Sequence, residues 1–118
     1  MNEYELFSEL VTLLKNYDDI EIVPHGNKQK DKTKHFATLL DDGTIPVYNN
    51  VSCPEYSLRI RVMVFACTHE ELVRVTSELK QYLDGVNAPF KIYNLELFGS
   101  PQKSGDDWVR VLKFTIKE

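Results

Sequence analysis

The stretch that most constrains this chain is "YSLRIRVMVFA", Tyr56 to Ala66, where apolar residues fall on every second position. Leu58, Ile60, Val62, Val64 and Ala66 share one parity, while Arg59, Arg61, Met63 and Phe65 share the other. Period-two alternation of this kind is the signature of a β-strand, and its wholly apolar side needs a covering layer. The opposite side starts charged and becomes apolar, so it is expected to be wet at one end and covered at the other. Directly afterwards "THEELVRVTSELKQYLDG" has the marks of a whole helix. Thr68 and Glu71 stand at capping-box spacing, and Leu72, Val75, Leu79, Tyr82 and Leu83 form an apolar stripe. Gly85 is expected to end the helix in the left-handed conformation. With almost no linker between them, strand and helix form one rigid unit.

The other segments fit around that pair. From Glu3 to Tyr17, Leu6, Leu10, Leu13, Leu14 and Tyr17 recur at steps of three and four, which predicts an amphipathic helix capped by Asn2, with Glu3 and Glu5 at its positive end. "DDIEIVP" predicts a short strand ending at Pro24. "FATLLDDGTIPVYNNVS" predicts two short strands or one interrupted strand, with Asp42-Gly43 as a turn and Pro46 at an edge or a strand start. "FKIYNLELFG" and "DDWVRVLKFTIKE" predict a closing antiparallel hairpin whose loop is "SPQKSGDD". Trp108, Leu112, Phe114 and Ile116 share one side of its last strand, interrupted by Arg110. The order α-β-β-β-α-β-β specifies an α+β fold, a mostly antiparallel sheet under two amphipathic helices. At 118 residues the chain suits one domain with one core.

Charge and composition exclude several functions. The formal net charge is -4, whereas a dedicated nucleic-acid binder usually carries a net basic face. The longest apolar runs are far short of the roughly 20 residues that span a bilayer, and "MNEYELFSEL" is acidic where a signal peptide is basic, so the expectation is a cytosolic protein without membrane contact. One segment opposes the overall charge: "GNKQKDKTKH", 26–35, sets Lys28, Lys30, Lys32 and Lys34 at alternate positions without aromatic residues on which bases could stack. It is expected to be a mobile loop at about 25–35.

No catalytic or metal-binding constellation is evident. His25, His35 and His69 are scattered, and a set of His25, His35 and Asp31 matches no metal-binding spacing. Asp18-Asp19, Asp41-Asp42, Glu70-Glu71 and Asp106-Asp107 sit at predicted element ends, where turn and cap roles account for them. The glycines are isolated, so no phosphate-cradling loop exists. Cys53 and Cys67 fit two reduced, packed thiols, with a disulfide or a catalytic thiol as alternatives; Cys67 is the suggestive one because a helix N-terminus lowers a thiol pKa. Binding or assembly is the expected role, with no cofactor.

The opening helix "EYELFSELVTLLKNY", the loop "GNKQKDKTKH", the strand "YSLRIRVMVFACT", the helix "HEELVRVTSELKQYLDG" and the ending "DDWVRVLKFTIKE" together resemble the small tail-terminator and head-to-tail joining proteins of long-tailed phages and prophages, also called minor capsid or tail-completion proteins. The resemblance rests on order, length and character over nearly the whole chain. It implies a non-enzymatic protein, made in the bacterial host cytoplasm, that forms a ring, commonly of six copies, at the virion's head-tail junction. Such a ring caps the tail-tube protein, meets the head connector proteins and lets DNA pass. An acidic lumen would not trap the duplex; the lysine loop departs from that pattern. Lys28, Lys30, Lys32, Lys34, Pro46 and Tyr48 become candidates for contact with a neighbouring subunit or the tube, and Arg59 and Arg61 for a channel or partner face. For the lysine loop, ordering against a neighbour, contact with passing DNA and simple solvation all stay open. The rival from another class is a small ferredoxin-like ligand-binding or regulatory module, which requires a deep apolar pocket near Arg59 or Arg61.

Overall fold

In the computed structural model, which describes residues 2–17, 19–23, 35–47 and 55–118 and only the backbone of 36, 40–47, 55 and 56, Asn2 caps the first helix, α1 (Glu3–Lys15). Its side-chain oxygen accepts from the Glu5 backbone N–H at 2.8 Å, which satisfies one of the free donors of the first turn. Leu6, Leu10 and Leu14 are buried. The helix stops two residues before Tyr17, yet that ring still packs on Tyr82 of the second helix, α2 (His69–Gly85), with centroids 5.0 Å apart. Tyr82 Oη donates to the Leu13 carbonyl at 3.0 Å, so α1 and α2 form one layer.

Beneath them lies a sheet of β1 (Ile20–Ile22), β2 (His35–Val47), β3 (Glu55–Ala66), β4 (Lys91–Ser104) and β5 (Asp107–Lys117), in the spatial order β1-β2-β3-β5-β4. The β1–β2 pair is parallel and the other three are antiparallel. The element order is the expected one, and the class is α+β. Leu58, Ile60, Val62, Val64 and Ala66 of β3, with Leu112, Phe114 and Ile116 of β5, fill the space under the helices; all are 3% exposed or less. Leu72, Val75, Leu79 and Leu83 of α2 meet them from above. At roughly 1.5–3 kcal/mol for each fully buried large side chain, this interface is the main source of stability.

Four local details differ from the expectations. His35 opens β2 and so does not belong to the loop expected at about 25–35; the rest of that segment, 25–34, lies outside the described residues. Asp42-Gly43 is no turn between strands: β2 runs through it, and the register with β3 shifts between Asp41 and Gly43 as a bulge. Gly85 does not take a left-handed conformation; α2 leaves the helix through an extended Val86 at φ -77° and ψ 144°. "SPQKSGDD" is mostly strand, because β4 continues to Ser104 and only Gly105 and Asp106 turn the chain. Gly105, at φ 62°, occupies the first turn position, which fits a two-residue primed hairpin turn.

Candidate functional site

Two surfaces stand out, and β2 creates the first. β1 pairs only with His35–Ala37, so the outer edge of β2 from Thr38 to Val47 has no strand beside it among the described residues. The Ala37 carbonyl accepts from the Val23 N–H at 2.8 Å, which shows that Ala37 directs its backbone outward. Leu39, two residues on, therefore directs its N–H and C=O to the open edge. Pro46 lies on this same edge, where a residue without an N–H is tolerated. The opposite edge, β4, carries two register shifts where β2 carries one. Its register with β5 shifts between Tyr93 and Glu96, where Asn94 has φ 55°, and again between Phe98 and Gln102, where Gly99 has φ 75°. Bulges of this kind blunt an edge against further pairing.

The second surface is the sheet face away from the helices. Register places Arg59, Thr115 and Tyr93 in one row, Arg61, Lys113 and Glu96 in the next, and Met63, Val111 and Phe98 in a third. The charged end is wet, as expected: Arg59 is exposed. No helix of the described residues covers the apolar end, contrary to the expectation, and there Met63 and Phe65 are only half-buried and Phe98 is 57% exposed. Lys113 Nζ sits 3.8 Å from the Phe98 ring centroid, a cation–π contact. Arg59, Asn94, Glu96, Lys113 and Thr115 edge a cleft of about 230 Å³. It is smaller and more polar than the apolar cavities that usually hold small molecules.

The start of α2 shows what the capping motif became. Thr68 Oγ1 accepts from the Glu71 N–H at 3.2 Å, but the Glu71 carboxylate does not complete the box. It accepts from Arg74 at 2.8 Å and stands 3.3 Å from His35 Nε2, while Arg74 also reaches Glu78 at 3.0 Å. The Arg74 hydrogen bond holds the Glu71 carboxyl below the usual carboxylate range. Nearby, Cys67 is a free thiol but is exposed, not packed as expected, and His69 packs edge-on against Trp108 at 5.2 Å. Among the described residues no group of histidine, cysteine and carboxylate side chains is placed to hold a metal.

Arg110 interrupts the apolar side of β5 as expected, and α2 answers it. Its Nη1 donates to Thr76 Oγ1 at 3.2 Å, while that buried hydroxyl donates back to the Leu72 carbonyl at 2.7 Å. Arg110 Nε is buried without an acceptor. Arg110 is half-buried, so its guanidinium carries part of the desolvation cost of a buried charge, and one neutral hydroxyl offsets little of it. Arg110→Met, which keeps the stem and removes the charge, is expected to raise stability by about 1 kcal/mol, read from urea unfolding. A loss of that size would show that the charge supports the fold.

Of the residues singled out from sequence, Arg59 and Arg61 share one sheet face and Pro46 lies on the open edge. Lys28, Lys30, Lys32, Lys34, Tyr48, His25, Asp31 and Cys53 lie outside the described residues. The cations Lys91, Lys113 and Lys117 escaped sequence inspection, because only strand register shows that they join the two arginines. No helix of the described residues is long and apolar enough to cross a membrane. No family model matches the chain, and no curated protein matches it.

Proposed function

We propose that the chain is a structural assembly protein of a phage or prophage tail, a ring-forming tail terminator or head-to-tail joining protein working at the head-tail junction. The observation that carries this is the outer edge of β2 from Thr38 to Val47, broken by one bulge between Asp41 and Gly43 and without a strand beside it among the described residues. An open edge of this kind is a pairing template, and copies that each meet it with a different part of their surface can close into a ring. The order of elements, shared with the resemblance above, supports the same conclusion. The cleft beside Arg59 is modest and polar, unlike the deep apolar pocket that a ligand-binding module requires there.

In this role Pro46, Tyr48 and the lysines at 28, 30, 32 and 34 contact a neighbouring subunit or the tube end. Arg59 and Arg61 belong to a partner face. DNA passes without being held, and no cofactor takes part. Adding the chain to polymerising tail-tube protein tests this. Tubes should stop growing, with the chain bound at their ends under electron microscopy. Tubes that lengthen unchanged and carry none of the chain would contradict the assignment.

A further inference from the structure

One end of the open sheet face and the helix layer differ in charge. On the open sheet face, Lys91, Arg59, Arg61, Lys113 and Lys117 gather at one end, with Glu96 among them and Glu55 one row beyond Ser57 and Lys117. Glu21 and Asp107 share that face but belong to the rows at its other end. Across the molecule the sign reverses. α1 and the turn after it hold Glu3, Glu5, Glu9 and Asp19 against Lys15. α2 holds Glu70, Glu71, Glu78 and Asp84 against Arg74 and Lys80.

Each surface also offers an aromatic residue. Tyr4 is 77% exposed at the acidic start of α1, beside a shallow hollow that it forms with Asn2, Glu3 and Phe7. Tyr93, 42% exposed, stands in the same row as Arg59. Exposed aromatic anchors within complementary charge are what a protein contact uses.

We propose that the basic end of the open sheet face receives the acidic helix layer of a second copy, in a head-to-tail contact. This rests on the assembly role above and names the surfaces that meet. Because the two surfaces differ, the contact is heterologous: it makes a ring where the rotation closes and a filament where it does not. It also places Arg59 and Arg61 between subunits, away from any channel. A single-stranded nucleic acid is the other occupant that cations and aromatics on a sheet could suit. The structure favours protein, because the helix layer offers these cations a surface of opposite charge and the Lys113 ammonium already lies over the Phe98 ring.

Charge exchange tests the contact. Lys91→Glu with Lys113→Glu, and separately Glu5→Lys with Glu9→Lys, should each weaken self-association about tenfold or more at low salt, measured by sedimentation equilibrium. All four changes in one chain should restore it to within about threefold of the original, and at about 1 M salt the differences should vanish. Circular dichroism confirms the fold of each variant. Reversed chains that associate like the original, or a fourfold variant no better than its parents, would overturn the contact. So would binding of an oligo-thymidine that is lost on Lys91→Glu with Lys113→Glu. If only edge disruption by Leu39→Pro abolishes association, the face contact fails while the assembly role stands. A chain that neither associates nor binds tube protein removes both.

Discussion

Leu79→Ala should lower the free energy of unfolding by about 3 kcal/mol, the largest effect expected of any single truncation discussed here. Leu79 is 1% exposed at the centre of the α2 stripe, between Val75 and Leu83, and packs into the cluster shared by both helices and the sheet. Truncation removes its transfer energy and leaves a cavity that the flanking strands β3 and β5, held by ladders on both sides, cannot close. For a domain with a total stability of about 5–15 kcal/mol, that is a substantial share. Urea unfolding followed by circular dichroism measures it. Val73→Ala, on the same helix but 36% exposed, serves as the control and should cost under about 0.5 kcal/mol. Equal effects at the two sites would mean that α2 does not lie on the sheet as described.

Leu39→Pro should uncouple folding from assembly. The outward-facing N–H of Leu39 has no role in the β2–β3 ladder, so removing it leaves the monomer's own pairing intact. Thr38, the residue before it, is already extended, which is the conformation that a following proline requires. The ring keeps part of the apolar contact with the core, and the monomer should lose only about 1 kcal/mol. A strand approaching this edge, however, loses a donor and meets the pyrrolidine ring. At roughly 0.5–1.5 kcal/mol for each hydrogen bond, and more for the steric block, self-association should weaken about tenfold or further. Association unchanged in a folded Leu39→Pro chain would move the contact away from this edge.

How far the sequence disclosed these features depends on how local each one is. β3 and α2 were legible in outline because each carries its own period, and Asn2 and Thr68 cap the helices as their side chains suggested. The extent of β4 was not, since Gly99, Ser100 and Pro101 have the composition of a loop; only the ladder from Gln102–Val109 to Ser104–Asp107 shows them lying within a bulged edge strand. The parallel pairing of β1 with β2 leaves no local mark. The bulge at Asn94 has only a faint one: asparagine takes positive φ more readily than other non-glycine residues, but nothing beside it in sequence sets this asparagine apart. Gly85 followed the statistics of helix ends but not the outcome, because Val86 turns the chain away in an extended conformation.

The candidate surfaces divide in the same way. Arg59 and Arg61 were visible as the charged side of an alternating strand. The patch they belong to was not, because Lys91, Lys113 and Lys117 come from two other strands and meet them only through register. Arg110 was visible as an interruption, whereas its acceptor Thr76 lies on another element and shows no preference of its own for a guanidinium.

Solution mass of the unmodified chain across concentration is the most direct test of the central claim that this edge is completed by further copies. The mass should climb from the 13.7 kDa of one chain to a plateau at a fixed multiple of it, and tube protein should shift that climb to lower concentration. A mass of one chain at every concentration, with and without the tube protein, would contradict it.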